Sequence, residues 1–152
     1  IIQYALNFAR VSETYEAHSW MILLGLLKHD DCHAAQILKD MGLEDLYGAW
    51  HEVLWALNAS NGLAPHAFSN DVRLTNRSCH IVACASEFAA WAGRSKIQSQ
   101  DLLMALADSN VLVGLFPDLD MTLDKVQQAC EARGCRYVLP SPSTEEKPAL
   151  EV

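Results

Sequence analysis

The segment from His29 to His33 holds the densest set of potential metal ligands in the chain. It reads His-Asp-Asp-Cys-His, and its two histidines would share one face if the segment were helical. Asp30 or Asp31, however, also suits the N-cap of a following helix, where a short polar side chain accepts hydrogen bonds from free backbone N–H groups. We interpret the segment as a helix cap at the surface, and we predict no metal ion and no cofactor.

Four of the five cysteines form two pairs in the sequence, Cys79 with Cys84 and Cys130 with Cys135. Four residues separate the members of each pair, which is wider than a usual zinc knuckle and turns the thiols roughly 140° apart on a helix. The odd count and unequal spacing favour reduced thiols over a disulfide framework. We expect the paired cysteines to act as small buried apolar residues.

Motifs of the common enzyme classes are missing. No glycine is followed by lysine, so the phosphate-binding loop G-x-x-x-x-G-K-[ST] is absent, as are G-x-G-x-x-G and G-x-S-x-G. His51 could open the zinc-protease motif H-E-x-x-H, but Trp55 stands where the second histidine is required. We therefore predict that the chain is not an enzyme. A weaker alternative is a hydrolase that uses His29, Asp31 or Cys32.

Composition indicates one compact unit. The chain has 152 residues, 51% of them hydrophobic, and a formal net charge of −8, which makes attraction to nucleic-acid phosphates a poor hypothesis. Its longest strongly apolar run, residues 20–27, is far shorter than the roughly 20 residues that cross a bilayer, so we expect no membrane insertion. Residues 1–4 read as the interior of a helix without a cap, and we expect the chain to begin inside a longer precursor.

An internal repeat organises the chain, because residues 5–27 align without a gap with residues 85–107. The identical pairs are Ala5 and Ala85, Phe8 and Phe88, Ala9 and Ala89, Ser19 and Ser99, Leu23 and Leu103, and Leu26 and Leu106. The matches have helical spacing, and strand signals are almost absent. We predict an all-α fold of two pseudo-symmetric four-helix repeats packed into one compact domain.

Caps and glycines set the predicted helix bounds. The first repeat has helices at 3–11, at 20–28 after Ser19, at about 32–41 before Gly42, and at 43–59. The second has helices from Thr75 to about 91, at 100–107 after Ser99, at 111–116, and from Thr122 to 133. The domain spans 1–139, with repeat one at 1–59, a linker at 60–74 and repeat two at 75–133. Residues 140–152 are rich in proline, serine and charge, and we expect a mobile tail.

Several of these segments resemble the Clp amino-terminal repeat. Residues 19–27, Ser-Trp-Met-Ile-Leu-Leu-Gly-Leu-Leu, are similar to its usual form T-E-H-L-L-L-G-L-L, and residues 99–107 keep the same outline. Residues 34–38 with Gly42 resemble its third helix, and residues 74–77 resemble the start of its fifth. The sequence of residues 42–55 most resembles that of the plastid double-Clp-N, Clp-protease-related proteins.

The resemblance implies a non-catalytic accessory or scaffolding subunit in the chloroplast stroma, whose targeting peptide lies outside this chain. Its partners would be proteins: the Clp protease core, Clp chaperone subunits, or another large ATPase-based plastid complex. The alternative is an adaptor-like receptor for protein substrates of a Clp chaperone-protease. The Glu-His pair of the usual motif is Trp20-Met21 here and Gln100-Asp101 in the second copy, so contacts that depend on that pair do not carry over.

Trp55 is the first candidate interface residue, and Trp20 is the second. Trp55 lies about 180° around the fourth helix from Leu46, opposite the apolar stripe of that helix. Because Gly48 and Ala59 are small neighbours, we expect this face to pack on the second repeat. The alternative is an exposed aromatic anchor for a partner, since tryptophan is enriched at binding hot spots.

Overall fold

The computed structural model describes residues 1–11, 16–29, 31–59 and 73–138, and helices dominate them. The helices are α1 (Ile2–Val11), α2 (Ser19–Lys28), α3 (His33–Asp40), α4 (Leu46–Ala59), α5 (Asn76–Trp91), α6 (Ser99–Asp108), α7 (Val111–Leu115) and α8 (Leu123–Ala132). The predicted all-α class is confirmed. The tail at 140–152 and most of the linker at 60–74 lie outside the described residues, so the domain boundaries stay predictions.

One parallel strand pair was not expected from the sequence. β1 (Glu16–Ala17) pairs with β2 (Arg73–Leu74), so that Glu16 lies opposite Arg73 and Ala17 opposite Leu74. Two residues are too few for an alternating pattern to be visible. The pair joins the segment before α2 to the segment before α5.

Helices α2 and α6 form the centre of the core and pack against each other. Each is covered in a similar way, since α1 and α4 pack on α2 while α5 and α8 pack on α6. Leu23 in α2 and Leu103 in α6 are both fully buried. The two repeats therefore place their second helices in similar, largely buried positions.

Some predicted caps are present as expected. Thr75 Oγ1 accepts from the Ser78 N–H at 3.0 Å, and Thr122 Oγ1 accepts from the Lys125 N–H at 3.4 Å. Gly42 ends α3 with a φ of +108°, a conformation that a residue without Cβ adopts at little cost.

Other predicted caps are wrong, and at α3 a tertiary contact replaces the predicted cap. α2 and α6 begin at Ser19 and Ser99 themselves, one residue earlier than expected. Cys32, not an aspartate, is the N-cap residue of α3 and makes no side-chain cap bond; Asp30 lies outside the described residues. Instead, Ser99 Oγ accepts from the Ala34 N–H at 3.1 Å, so a side chain of the second repeat caps a helix of the first.

Candidate protein-interaction surface

Helix α4 is held in place by its inner face. Leu46, Ala49 and Val53 are buried, about one helical turn apart, on the side that packs against α2. Trp50 is half-buried beside them: its Nε1–H donates to Tyr4 Oη at 3.2 Å, and Lys28 Nζ lies 5.6 Å from its ring centroid. The apolar stripe predicted at residues 46, 50, 53, 54 and 57 is therefore correct for Leu46, Trp50 and Val53, and it anchors the helix on the first repeat.

The outer face of α4 carries three rings spaced four residues apart, Tyr47, His51 and Trp55, which we call the aromatic stripe. Tyr47 is 73% exposed, Trp55 is 74% exposed, and His51 is exposed between them. The Tyr47 and His51 rings meet edge to face with centroids 4.5 Å apart, and His51 also meets Trp50 at 5.0 Å. The His51 ring is therefore in contact with an aromatic ring on each of two sides.

The expectation that the second repeat covers Trp55 is wrong. Helix α4 packs chiefly on α2 of its own repeat, and its outer face points to solvent. The space beside Gly48 is filled by another group, because a Cβ at this position would displace the Asp45 carboxylate. The missing side chain makes room for the Asp45 carboxylate, which accepts from the Gly48 N–H at 2.9 Å and caps α4. That cap also explains why α4 begins at Leu46 rather than at residue 43.

Beside the stripe lies an open groove of about 480 Å³, lined by His51, Glu52, Leu54 and Trp55. Glu52 supplies a carboxylate to this groove, Glu44 and Asp45 are exposed just before α4, and residues 43–55 contain no lysine or arginine. The surface therefore combines large aromatic rings with negative charge.

The two candidate residues have different environments. Trp20, near the start of α2, is half-buried and packs against the core, whereas Trp55 is open to solvent. Tyr47 and His51 are further candidate interface residues that were not predicted from the sequence. The signal was present in the four-residue spacing of residues 47, 51 and 55, which places them on one helix face.

A second polar feature lies at the start of α6 and is buried. The fully buried Asp101 carboxylate accepts from Arg94 at 2.5 and 2.8 Å, from the Tyr137 hydroxyl at 2.7 Å, and from the Gln98 N–H at 2.7 Å. Burial and hydrogen bonds to Cys135 and Asp101 raise the pKa of Tyr137, and the hydrogen bond to Asp101 raises the pKa of Arg94. Arg94 and Tyr137 therefore each stay in one protonation state near neutrality, which is the behaviour of a structural network.

The cysteines are all free, as the sequence favoured, but they are not uniformly buried. Cys130 is fully buried, and burial raises its pKa to about 12. Cys84 and Cys135 are half-buried, and Cys79 is exposed on α5. The expectation of buried apolar residues is therefore right for Cys130 and wrong for Cys79.

The segment from His29 to His33 does not form a single helix. His29 is the C-cap of α2, with Nδ1 2.7 Å from the Gly25 carbonyl oxygen, while His33 begins α3. Within residues 1–11, 16–29, 31–59 and 73–138, no three His, Cys, Asp or Glu side chains come together as a metal site would require. No helix in the same part of the chain is long and apolar enough to span a bilayer.

The fold and this surface define a class: a helical repeat domain with a packed interior and an open aromatic face. The family model of the Clp repeat (R) N-terminal domain matches residues 1–119, and the chain belongs to this family. It is 54% identical over 149 residues to a Chlamydomonas reinhardtii protein, the chloroplastic ATP-dependent Clp protease ATP-binding subunit CLPT4. The match covers 97% of this chain and 61% of the relative, so this chain spans less than two thirds of the relative's length.

Solved structures give the same fold. The Hsp104 N-terminal domain from Candida albicans matches with a TM-score of 0.71 at 16% identity, covering 90% of this chain and 88% of that domain. The N-terminal domain of the ClpV1 ATPase from E. coli matches with a TM-score of 0.66 at 19% identity, covering 89% and 82% respectively. At these identities the likeness concerns the fold.

Proposed function

We propose that the chain is a non-catalytic accessory or scaffolding subunit that binds components of the plastid Clp protease in the chloroplast stroma. The 54% identity to a chloroplastic subunit of an ATP-dependent Clp protease supports both the Clp protease as the partner and the chloroplast as the location. The observation that carries the binding role is the aromatic stripe, because Tyr and Trp side chains that are exposed together on one helix face beside a groove are of the residue types enriched at protein–protein interfaces.

The chain itself is proposed not to bind nucleotide, although the Chlamydomonas relative is named an ATP-binding subunit. A P-loop needs glycine backbone N–H groups and a lysine to cradle phosphates, and no glycine of this chain precedes a lysine. We expect isothermal titration calorimetry with Mg-ATP to give no saturable heat at micromolar concentrations. Stoichiometric binding would contradict the proposal.

An adaptor-like role in receiving protein substrates is the second candidate. The open groove beside Trp55 favours it, because an apolar segment of an unfolded chain could lie there against Leu54. A machine subunit would offer one defined surface to this groove, whereas substrates would offer many different segments.

The test replaces the aromatic stripe by Asp124, Gln128 and Ala132 of α8, which follow the cap residue Thr122 at the same distances in sequence as Tyr47, His51 and Trp55 follow Asp45. The triple variant is Tyr47→Asp, His51→Gln and Trp55→Ala, and the control is Gln128→Ala on the exposed face of α8. Tagged proteins are used to recover partners from chloroplast extract, followed by mass spectrometry and thermal melts.

We expect the wild type and the control to recover Clp protease or chaperone subunits in stoichiometric amounts. The triple variant should lose them while each of its substitutions changes the stability by no more than about 0.5 kcal/mol. A broad mixture of proteins in place of Clp subunits would favour the receptor role. Equal recovery by all three proteins would remove the stripe from the interface.

A further inference from the structure

The partner chemistry of the stripe follows from the charges that surround it. Glu44, Asp45 and Glu52 are exposed along α4 and just before it, and no lysine or arginine lies between residues 43 and 55. The whole chain carries a formal charge of −8. Among these carboxylates, Glu52 lines the groove beside Trp55, while Lys28 lies over Trp50 on the inner side of the helix. A cationic group that enters the groove therefore meets attraction from Glu52.

The rings of the stripe can hold such a cation directly. Aromatic faces attract ammonium and guanidinium groups placed within about 6 Å of the ring centroid. The same helix already shows this contact on its inner side, where Lys28 Nζ lies 5.6 Å from the Trp50 centroid. On the outer side, Trp55 is 74% exposed and Glu52 lies beside it in the groove, so a ring and a carboxylate are available together.

We propose that the aromatic stripe and Glu52 dock a lysine- or arginine-containing segment of the partner protein. This inference rests on the proposed function and adds the chemistry of the partner. A second copy of this chain fits poorly, because two chains of charge −8 would bring their acidic surfaces together. A purely apolar segment would leave Glu52 without a cationic partner at the edge of the contact.

The test uses three short fluorescein-labelled synthetic peptides of equal length. One alternates arginine with leucine, the second has glutamine in place of every arginine, and the third has glutamate. Fluorescence anisotropy follows their binding to the whole chain. We expect the arginine peptide to bind at least about tenfold more tightly than the glutamine peptide. Its affinity should fall as ionic strength rises, because salt screens exposed charges.

Matched variants distinguish binding at a local site from attraction to the net charge of the chain. Glu52→Lys in α4 and Asp124→Lys in α8 make the same change in net charge on exposed positions. Glu52→Lys and Trp55→Ala should each weaken the arginine peptide about tenfold or more, whereas Asp124→Lys should weaken it less than about twofold. Thermal melts of the three variants check that each is folded.

Three results would overturn the inference: equal affinity for the arginine and glutamine peptides, equal effects of Glu52→Lys and Asp124→Lys, or no binding of the arginine peptide. Failure of the proposed function would give a different combination of results in the extract and peptide experiments. If chloroplast extract yields no Clp subunits while the peptides discriminate as expected, the cation site stands and the partner assignment fails. If Clp subunits are recovered through the stripe but the peptides do not discriminate, the assignment stands and the cation chemistry fails.

Discussion

The last helices of the two repeats, α4 and α8, begin alike and bury the same face. Asp45 and Thr122 cap them, each accepting from the N–H three residues further on. Counted from these caps, Ala49 and Val53 of α4 correspond to Val126 and Cys130 of α8, and all four are buried. A common scaffold therefore fixes the cap and the inner face in both repeats.

The outer faces of the same two helices differ. At the second, sixth and tenth positions after the cap, α4 carries Tyr47, His51 and Trp55, whereas α8 carries Asp124, Gln128 and Ala132. All six positions are exposed, so packing does not select these residues. The two repeats therefore share the same buried positions in these helices. Of the two helices, only α4 presents an aromatic surface.

The second helices of the two repeats, α2 and α6, differ in their buried residues. Met21 in α2 and Asp101 in α6 occupy matching positions of the repeat, and both are fully buried. Methionine needs only apolar neighbours, whereas the carboxylate needs Arg94, Tyr137 and the Gln98 N–H around it. The second repeat therefore depends on a polar network where the first depends on packing.

Removing Asp101 should destabilise the fold more than any surface substitution, because its fully buried carboxylate accepts hydrogen bonds from several donors. Asp101→Ala leaves the Arg94 guanidinium and the Tyr137 hydroxyl without their common acceptor, and we expect a loss of about 3–5 kcal/mol in the free energy of unfolding. Urea denaturation measures it. The double variant with Arg94→Ala should cost less than the two single losses added, because the pair acts as a unit. Strict additivity would show that the network is not coupled.

Truncating the core leucines tests whether the two repeats are equally packed. Leu23→Ala and Leu103→Ala each remove a fully buried side chain, and each should cost about 2–5 kcal/mol by the same denaturation measurement. We expect the two costs to agree within about 1 kcal/mol. A loss below about 1 kcal/mol for one of them would mean that its helix relaxes around the cavity, which would break the equivalence of α2 and α6.

Local and periodic features of this fold were predictable from sequence. Thr75, Thr122 and Gly42 act on their own helix ends, and their roles depend on neighbours within four residues. The repeat and the buried α2 and α6 follow from apolar spacing. The family resemblance came from several motifs, among them the one at residues 19–27.

Features set by distant contacts were not predictable. Ser99 caps α3 across the repeat boundary, and Asp101 is bonded by Tyr137, a residue far along the chain. The small size of Gly48 suggested a close helix, but the nearby atom is the carboxylate of Asp45. Periodicity alone also could not separate an outward face that packs on another repeat from one that stays open, and Trp55 is the example.

Removing the two caps compares the starts of α4 and α8 directly. Asp45→Ala and Thr122→Ala each leave a backbone N–H of the first turn without its side-chain acceptor, and each should cost about 1 kcal/mol. Thermal denaturation at equal buffer and salt measures both, with Asp45→Asn as the control that retains a capping oxygen. If Asp45→Ala costs nothing while Thr122→Ala does, the carboxylate at the start of α4 serves the outer surface rather than the helix.

The smallest effect concerns a bridge made at the end of α8, where the matching position of α4 holds an alanine, Ala56. Arg133 pairs there with Asp40 of α3, and Arg133 Nη2 lies 2.9 Å from Asp40 Oδ1. This ion pair joins the last helix of the second repeat to the third helix of the first repeat. The hydrogen bond from Arg133 holds the pKa of Asp40 below its ordinary 3.8. A carboxyl whose pKa is lower in the folded chain than in the unfolded chain stabilises the fold above the unfolded value. That contribution is lost as the pH falls through the folded pKa.

Arg133→Gln should therefore return the pKa of Asp40 toward 3.8, which a carboxyl-detected NMR titration would follow. The variant should melt slightly lower than the wild type at neutral pH, and the two melting curves should converge in acid below the folded pKa. Because both side chains are about 40% exposed, added salt should shrink the difference at neutral pH. Lys125→Gln, an equal charge change earlier in α8, should leave the pKa of Asp40 in place. A shift of the same size in both variants would mean that Asp40 responds to the net charge of α8, and α3 and α8 would then be joined by packing alone.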